Sequence, residues 1–301
     1  MHDPNDKPHA PVARPIVNES PVPRAAFTAR PVDGAADPVQ PDASTGFSRL
    51  MLSRRAALTD ILAVAAMVTL YETVTILSGL HEILHVIVPQ GGLYVGIALN
   101  GLFCLGAVSA VLKLRDQTPA DLGLTRIAPR RLIGWTAAAV PACYALGAAA
   151  VITTLFATGR NILEMAGERT VFLDRMSDIN VSWIAPIVLF VGVYEEILFR
   201  GFLLPRLRTI FGSEIAAIIV SAALFGLAHY PSQGLEGAMQ TGAVGLVLAI
   251  LVTRLKNLWP AILTHAAIDG ISLLATILLL PAMQEALNTL TSQPASGPVA
   301  P

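Results

Sequence analysis

Charge is the scarcest property of this 301-residue sequence: Asp, Glu, Lys and Arg make up 14% against 54% hydrophobic residues. Soluble domains run near a quarter charged, so the shortage excludes an ordinary water-soluble globule. Cysteine is almost missing as well. Two residues exclude both a disulfide scaffold and a Cys-based zinc site, and Cys104 and Cys143 sit inside apolar runs, where cysteine behaves as a small hydrophobe. There is no basic excess, since 20 Lys and Arg face 21 Asp and Glu for a formal net charge of −1. That balance excludes a nucleic-acid partner held by a basic surface. What remains is the composition of a membrane protein.

The apolar residues are unevenly placed. Residues 1–50 hold nine of the 21 prolines, six acids and five bases, with no apolar run. Such a stretch buries too little surface to offset its ordering entropy, which predicts a disordered, Pro-rich cytoplasmic tail. It has neither the apolar core of a signal peptide nor the acid-poor composition of a transit peptide. Seven apolar stretches then approach the ~20 residues a hydrocarbon core requires: 58–80, 93–114, 132–156, 183–205, 212–229, 238–256 and 258–280. The expected fold is all-α: a multi-pass transmembrane helical bundle of about seven spans over 51–286, with its polar core at 183–280 and a short flexible tail at 287–301. Trp135, Trp183 and Trp259 each open a span, at headgroup level.

Lys and Arg in the connections give the orientation. Arg49, Arg54 and Arg55 precede the first span, and Lys113, Arg115, Arg126, Arg130 and Arg131 lie between the second and third. Arg206 and Arg208 follow the fourth, and Arg254 and Lys256 close the sixth. The loops at 81–92 and 230–237 have neither residue type, and 157–182 sets three arginines against four acids. A cytoplasmic N-terminus in a plasma (inner) membrane is therefore expected.

Ionisable groups inside spans are costly, and functional by default. The first span carries Asp60 and Glu72, with His81, Glu82 and His85 just after it. The richest text is Glu195-Glu196-Ile197-Leu198-Phe199-Arg200. Glu196 and Arg200, four apart with the acid first, suit an ion pair on one helical face. Glu195 then lies about 100° around the helix without a local partner, as a proton acceptor requires. The plainer alternative has both acids paired with Arg200. Phe225 and His229 share one face of the fifth span, and His265 and Asp269 one face of the seventh. His229 alone reads equally as an interfacial helix cap before Tyr230-Pro231, and His265 with Asp269 as a structural hydrogen bond. Together, two imidazoles with carboxylates suit a divalent metal such as zinc, or a water and an oxyanion without metal.

The series Glu-Glu-x-x-x-Arg, Phe-x-x-x-His and His-x-x-x-Asp, each on its own helix, resembles the CPBP family of CAAX prenyl-protease and bacteriocin-processing membrane proteins. The resemblance covers 183–280, and Asp121-Leu122-Gly123-Leu124 is similar to a short element that often precedes this core. It implies an intramembrane endopeptidase, metallo- or glutamate-type, acting on a membrane-associated protein or peptide. It also implies that Glu195 activates the hydrolytic water, that His229, His265 and Asp269 complete the site, and that Glu196, Arg200 and Phe225 support it. Position 269 is more often Asn in the family.

Three rival readings remain. His81-Glu82-Ile83-Leu84-His85 matches the zincin signature H-E-x-x-H, which would make His81 and His85 zinc ligands and Glu82 the base. It sits, however, in a connection close to Pro89 and Gly91-Gly92. A non-catalytic scaffold, immunity or regulatory protein of the same fold would gain nothing from an unpaired Glu195. A transporter using the acids as a proton relay would commonly show an internal repeat, and none is visible. One conflict follows from seven full spans. His229 falls near the outer end of its helix and His265 about six residues from the inner start of its own, depths that differ too much for one site. The sequence reading therefore expects either a fifth helix that stops in mid-membrane or shifted boundaries.

Overall fold

A computed structural model of the chain describes residues 52–87, 92–161 and 181–292. The 1–50 tail and most of the 157–182 connection lie outside the described residues. Among the described residues there is no strand. The order is α1 (Arg54–Leu77), α2 (Leu80–Ile87), α3 (Gly92–Leu114), a 3-10 turn (Pro119–Leu122), α4 (Pro129–Thr158) and α5 (Val181–Glu196). A turn of π-helix (Ile197–Leu203), α6 (Leu204–Phe211), α7 (Glu214–Leu255) and α8 (Trp259–Ser292) complete it. The all-α expectation holds, and α8 continues past residue 287, where a flexible tail was expected to begin.

Among the described residues, five helices are long and apolar enough to cross a membrane: Arg54–Leu77, Tyr94–Leu114, Pro129–Thr158, Glu214–Leu255 and Trp259–Leu279. The difference from seven has two local causes. The fourth apolar stretch is helical but is interrupted by the π turn, so neither piece is long enough alone. The fifth and sixth stretches are the two arms of α7, which breaks at Gly234 (φ 68°, ψ −170°). That backbone conformation is open essentially only to glycine. The arms fold back on each other: a Cβ on Gly226 would stand 2.4 Å from the Ala238 carbonyl oxygen and 3.0 Å from the Gly242 backbone. Glycine facing glycine lets the backbones touch, as small residues do between membrane helices.

The core lies where α3, the π turn, α7 and α8 meet, around Val108, Phe202, Leu248, Val252, Leu258 and Ile262. Helix α4 packs along α7 and α8, and α5 along α8. The Asp121-Leu122-Gly123-Leu124 element forms the floor of α8. Leu258 N–H donates to the Gly123 carbonyl at 2.9 Å. Asn257 Nδ2 donates to the Thr125 carbonyl and hydroxyl, while its Oδ1 caps Trp259 N–H. Leu122 in turn fills the space that a Cβ on Gly201 would occupy. Helix α8 therefore starts level with Gly201, well inside the turn at Gly212.

That offset removes the depth conflict. His229 stands 16 residues past Ser213, roughly 24 Å along α7. His265 stands six residues past Trp259, roughly 9 Å along α8, and α8 begins roughly 16 Å further in, the 11-residue rise from Gly212 to Gly201. The two histidines reach the same level, and α7 has no need to stop short of His229.

Candidate active site

Glu195 and Glu196 are the last residues of α5, where the helix widens into the π turn. There the Leu204 N–H reaches back five residues to the Phe199 carbonyl. Single π turns recur at functional sites because the extra residue re-aims the side chains around it. Here Glu196 and Arg200 are fully buried while Glu195 keeps 13% of its side chain exposed.

Arg200 Nη1 donates to Glu196 Oε1 at 2.7 Å, and Nη2 donates to the Gly245 carbonyl at 3.2 Å. The guanidinium lies 4.1 Å from the centre of the Phe225 ring, an arrangement that stabilises a desolvated cation. Gly245 has no side chain because a Cβ there would stand 3.0 Å from both Arg200 Nη2 and the Phe225 ring. His265 Nδ1 donates to the same Glu196 oxygen at 2.9 Å. Glu196 is thus the hub that fixes Arg200 and turns His265 Nε2 the other way.

That Nε2 points at Glu195 Oε2, 3.8 Å away, and lies 3.4 Å from Asp269 Oδ2. From the first arm of α7, His229 Nε2 also stands 3.8 Å from Glu195 Oε2, with His229 Nδ1 donating to the Phe225 carbonyl at 2.8 Å. Both imidazoles are therefore held through Nδ1 and present Nε2 to one carboxylate oxygen. The Phe225 ring braces them, 4.8 Å from His229 and 5.7 Å from His265, edge to face in both cases. Tyr194 O–H donates to Glu195 Oε1 at 3.1 Å. Glu195 Oε2 is buried and has no hydrogen-bond partner. A buried carboxylate oxygen left without a partner is costly, and this one faces two imidazole nitrogens, each 3.8 Å away.

The structure brings together Glu195, Glu196, Arg200, Phe225, His229 and His265, with Asp269 at the more exposed rim. Sequence reasoning missed two participants. Tyr194 had a signal, a phenol in an apolar run that needs a partner, but the Gly245 carbonyl had none. The H-E-x-x-H backbone forms α2, while the side chains of His81, Glu82 and His85 lie outside the described residues. Among the described residues no group of three His, Cys, Asp or Glu side chains is gathered closely enough to hold a metal ion in this conformation.

Residues 177–271 match the family described as type II CAAX prenyl endopeptidase Rce1-like. This segment is similar to that family. It spans about a third of the chain, α5 to the middle of α8, and contains every side chain of the site just described. No curated protein and no solved structure matches significantly. The resemblance to CPBP intramembrane proteases drawn from the three motifs holds at the level of the family, and the Rce1-like segment supports a CAAX-type intramembrane protease with a membrane-associated substrate.

Proposed function

We propose that the protein is an intramembrane endopeptidase that hydrolyses a peptide bond in a prenylated or otherwise membrane-associated protein, with Glu195 as the base. The observation that carries this reading is Glu195 Oε2, buried, unbonded and 3.8 Å from the Nε2 atoms of both His229 and His265. A water brought to Glu195 Oε2 gives it one proton while the water oxygen attacks the scissile carbonyl. His229 Nε2 accepts the water's other hydrogen, and His265, held as an imidazolium between Glu196 and Asp269, donates its Nε2–H to the developing oxyanion. On collapse, Glu195 returns the proton to the leaving amine. Tyr194 holds the other carboxylate oxygen, which leaves Oε2 as the reacting atom. The multi-pass chain is expected in the plasma membrane with its N-terminus cytoplasmic.

Glu195→Gln keeps shape and removes the basic oxygen. It should lower turnover of a farnesylated Cys-aliphatic-aliphatic-X peptide by at least ~10²-fold, the usual share of a positioned base, with an unchanged melting curve. Near-normal turnover would remove Glu195 from the mechanism. The zinc readings have a separate check: converting His81 and His85 together to Ala should leave activity within a few-fold, and the purified protein should carry no stoichiometric zinc. Loss of activity in that double variant, without loss of stability, would move the site to α2.

A further inference from the structure

Glu72 has no role in the chemistry above. It lies on α1 in an apolar stretch, and among the described residues no side chain bonds or ion-pairs with it. A carboxylate at such a position is expensive unless it serves a ligand. It lines a half-open cavity of about 120 Å³ between α1, α2, α3 and Tyr194. Water takes about 30 Å³ and benzene fits a 150 Å³ cavity, so this space suits one side chain. Its lining has two parts. Glu72, Tyr71, Asn100 and Tyr194 supply polar groups, and Leu80 and Leu84 supply an aliphatic wall. Tyr71 is held in place by stacking on Phe103, ring centres 4.5 Å apart. Gly101 lets α3 close onto α5 here, since a Cβ would stand 2.6 Å from the Tyr194 ring.

Tyr194 is the shared wall: it lines this cavity and donates to the catalytic Glu195. Anything bound against Tyr194 therefore lies beside the side chain that holds Glu195. The chemistry of the lining selects the ligand. An aliphatic stem packs on the leucines, and an ammonium pairs with Glu72 within reach of the phenols and the Asn100 amide, as lysine buries its methylenes and keeps its charge solvated. We propose that this cavity is a substrate subsite for a lysine side chain flanking the scissile bond. The substrate role rests on the peptidase reading above, whereas the cation site does not.

Two measurements on the full chain in mild detergent separate these. In the first, n-pentylammonium should raise the Tm above the effect of equimolar n-pentanol, and Glu72→Gln should abolish the difference. Thr75→Leu, which fills the cavity and leaves the carboxylate in place, should do the same should the Gln variant fold poorly. Equal shifts from the two probes, or an ammonium-specific shift retained in both variants, overturns the proposal. In the second, farnesylated peptides carry lysine or norleucine at each position flanking the cleaved bond. At one position lysine should lower KM at least tenfold. Glu72→Gln should erase that preference, so that the lysine and norleucine peptides share one KM. Cleavage with no lysine preference anywhere overturns the subsite. An ammonium-specific shift with no cleavage of any peptide upholds the cation site and defeats the peptidase reading instead.

Discussion

Glu196 holds two partners on one oxygen, and this decides how the site responds to substitution. Arg200 and Glu196 are both fully buried, and removing one member of such a pair leaves an uncompensated charge at ~3–5 kcal/mol. Arg200→Leu and Glu196→Leu should each deplete folded protein, read as abundance and Tm in mild detergent. The double Leu variant should recover much of the stability, because two apolar side chains replace a desolvated ion pair. It should not recover turnover, because His265 Nδ1 loses its acceptor and the ring is no longer fixed. A double variant as unstable as the sum of the singles would show that the two residues are not coupled. The pair was legible from i, i+4 spacing alone. The His265 contact was not, since no helical period relates residues 69 apart on α5 and α8.

At the scale of elements, the apolar stretches were legible and their ends were not. Hydropathy records length but not where a helix begins relative to its neighbours. The level of α8 is set instead by its floor, through Leu258 on Gly123 and Leu122 on Gly201, contacts between segments remote in sequence. The fold-back of α7 is similarly hidden, because Pro231 and Gly234 mark a break but not the packing of its arms. That packing predicts a sharp asymmetry between glycines. Gly226→Ala forces a methyl group into the Ala238 carbonyl and the Gly242 backbone, overpacking that costs typically ~1–3 kcal/mol. It sits three residues before His229, so turnover should fall along with Tm. Gly106→Ala on α3, where a Cβ meets nothing within 4 Å, should be neutral or slightly stabilising, since alanine loses less backbone freedom in a helix. Equal Tm changes in the two variants would mean that the arms of α7 are not in contact.

Across the whole molecule, one carboxylate ties the first helix to the catalytic helices. Asp60 on α1 is 3% exposed; its Oδ1 accepts from Arg115 Nε at 2.8 Å and Nη2 at 2.7 Å, and its Oδ2 accepts from Arg206 Nε at 3.1 Å. Arg206 is fully buried, donates onward to Gln117 Oε1 and the Phe202 carbonyl, and covers the Phe202 ring at 3.7 Å. Phe202 belongs to the π turn that follows Glu195 and Glu196, so the network reaches the element that aims the site. From the sequence, Asp60 was an unexplained charge in a span, and Arg115 and Arg206 were evidence of orientation alone; their meeting depends on a fold that brings residues 60, 115 and 206 together. The two arginines should not be equivalent. Arg115 is a third exposed and its loss leaves Asp60 paired with Arg206, so Arg115→Leu should cost only the ~1–3 kcal/mol of a buried acceptor, Asp60 Oδ1, left without its donors. Arg206 has no such exposure. Asp60→Leu strands it, which predicts a loss of ~3–5 kcal/mol, whereas Asp60→Leu combined with Arg206→Leu should restore part of the stability. Melting curves of the three variants in one detergent decide the matter. If Arg115→Leu proves as damaging as Asp60→Leu, the tie between α1 and the catalytic helices runs through Arg115, and the buried guanidinium is held by Phe202 and Gln117 without the carboxylate.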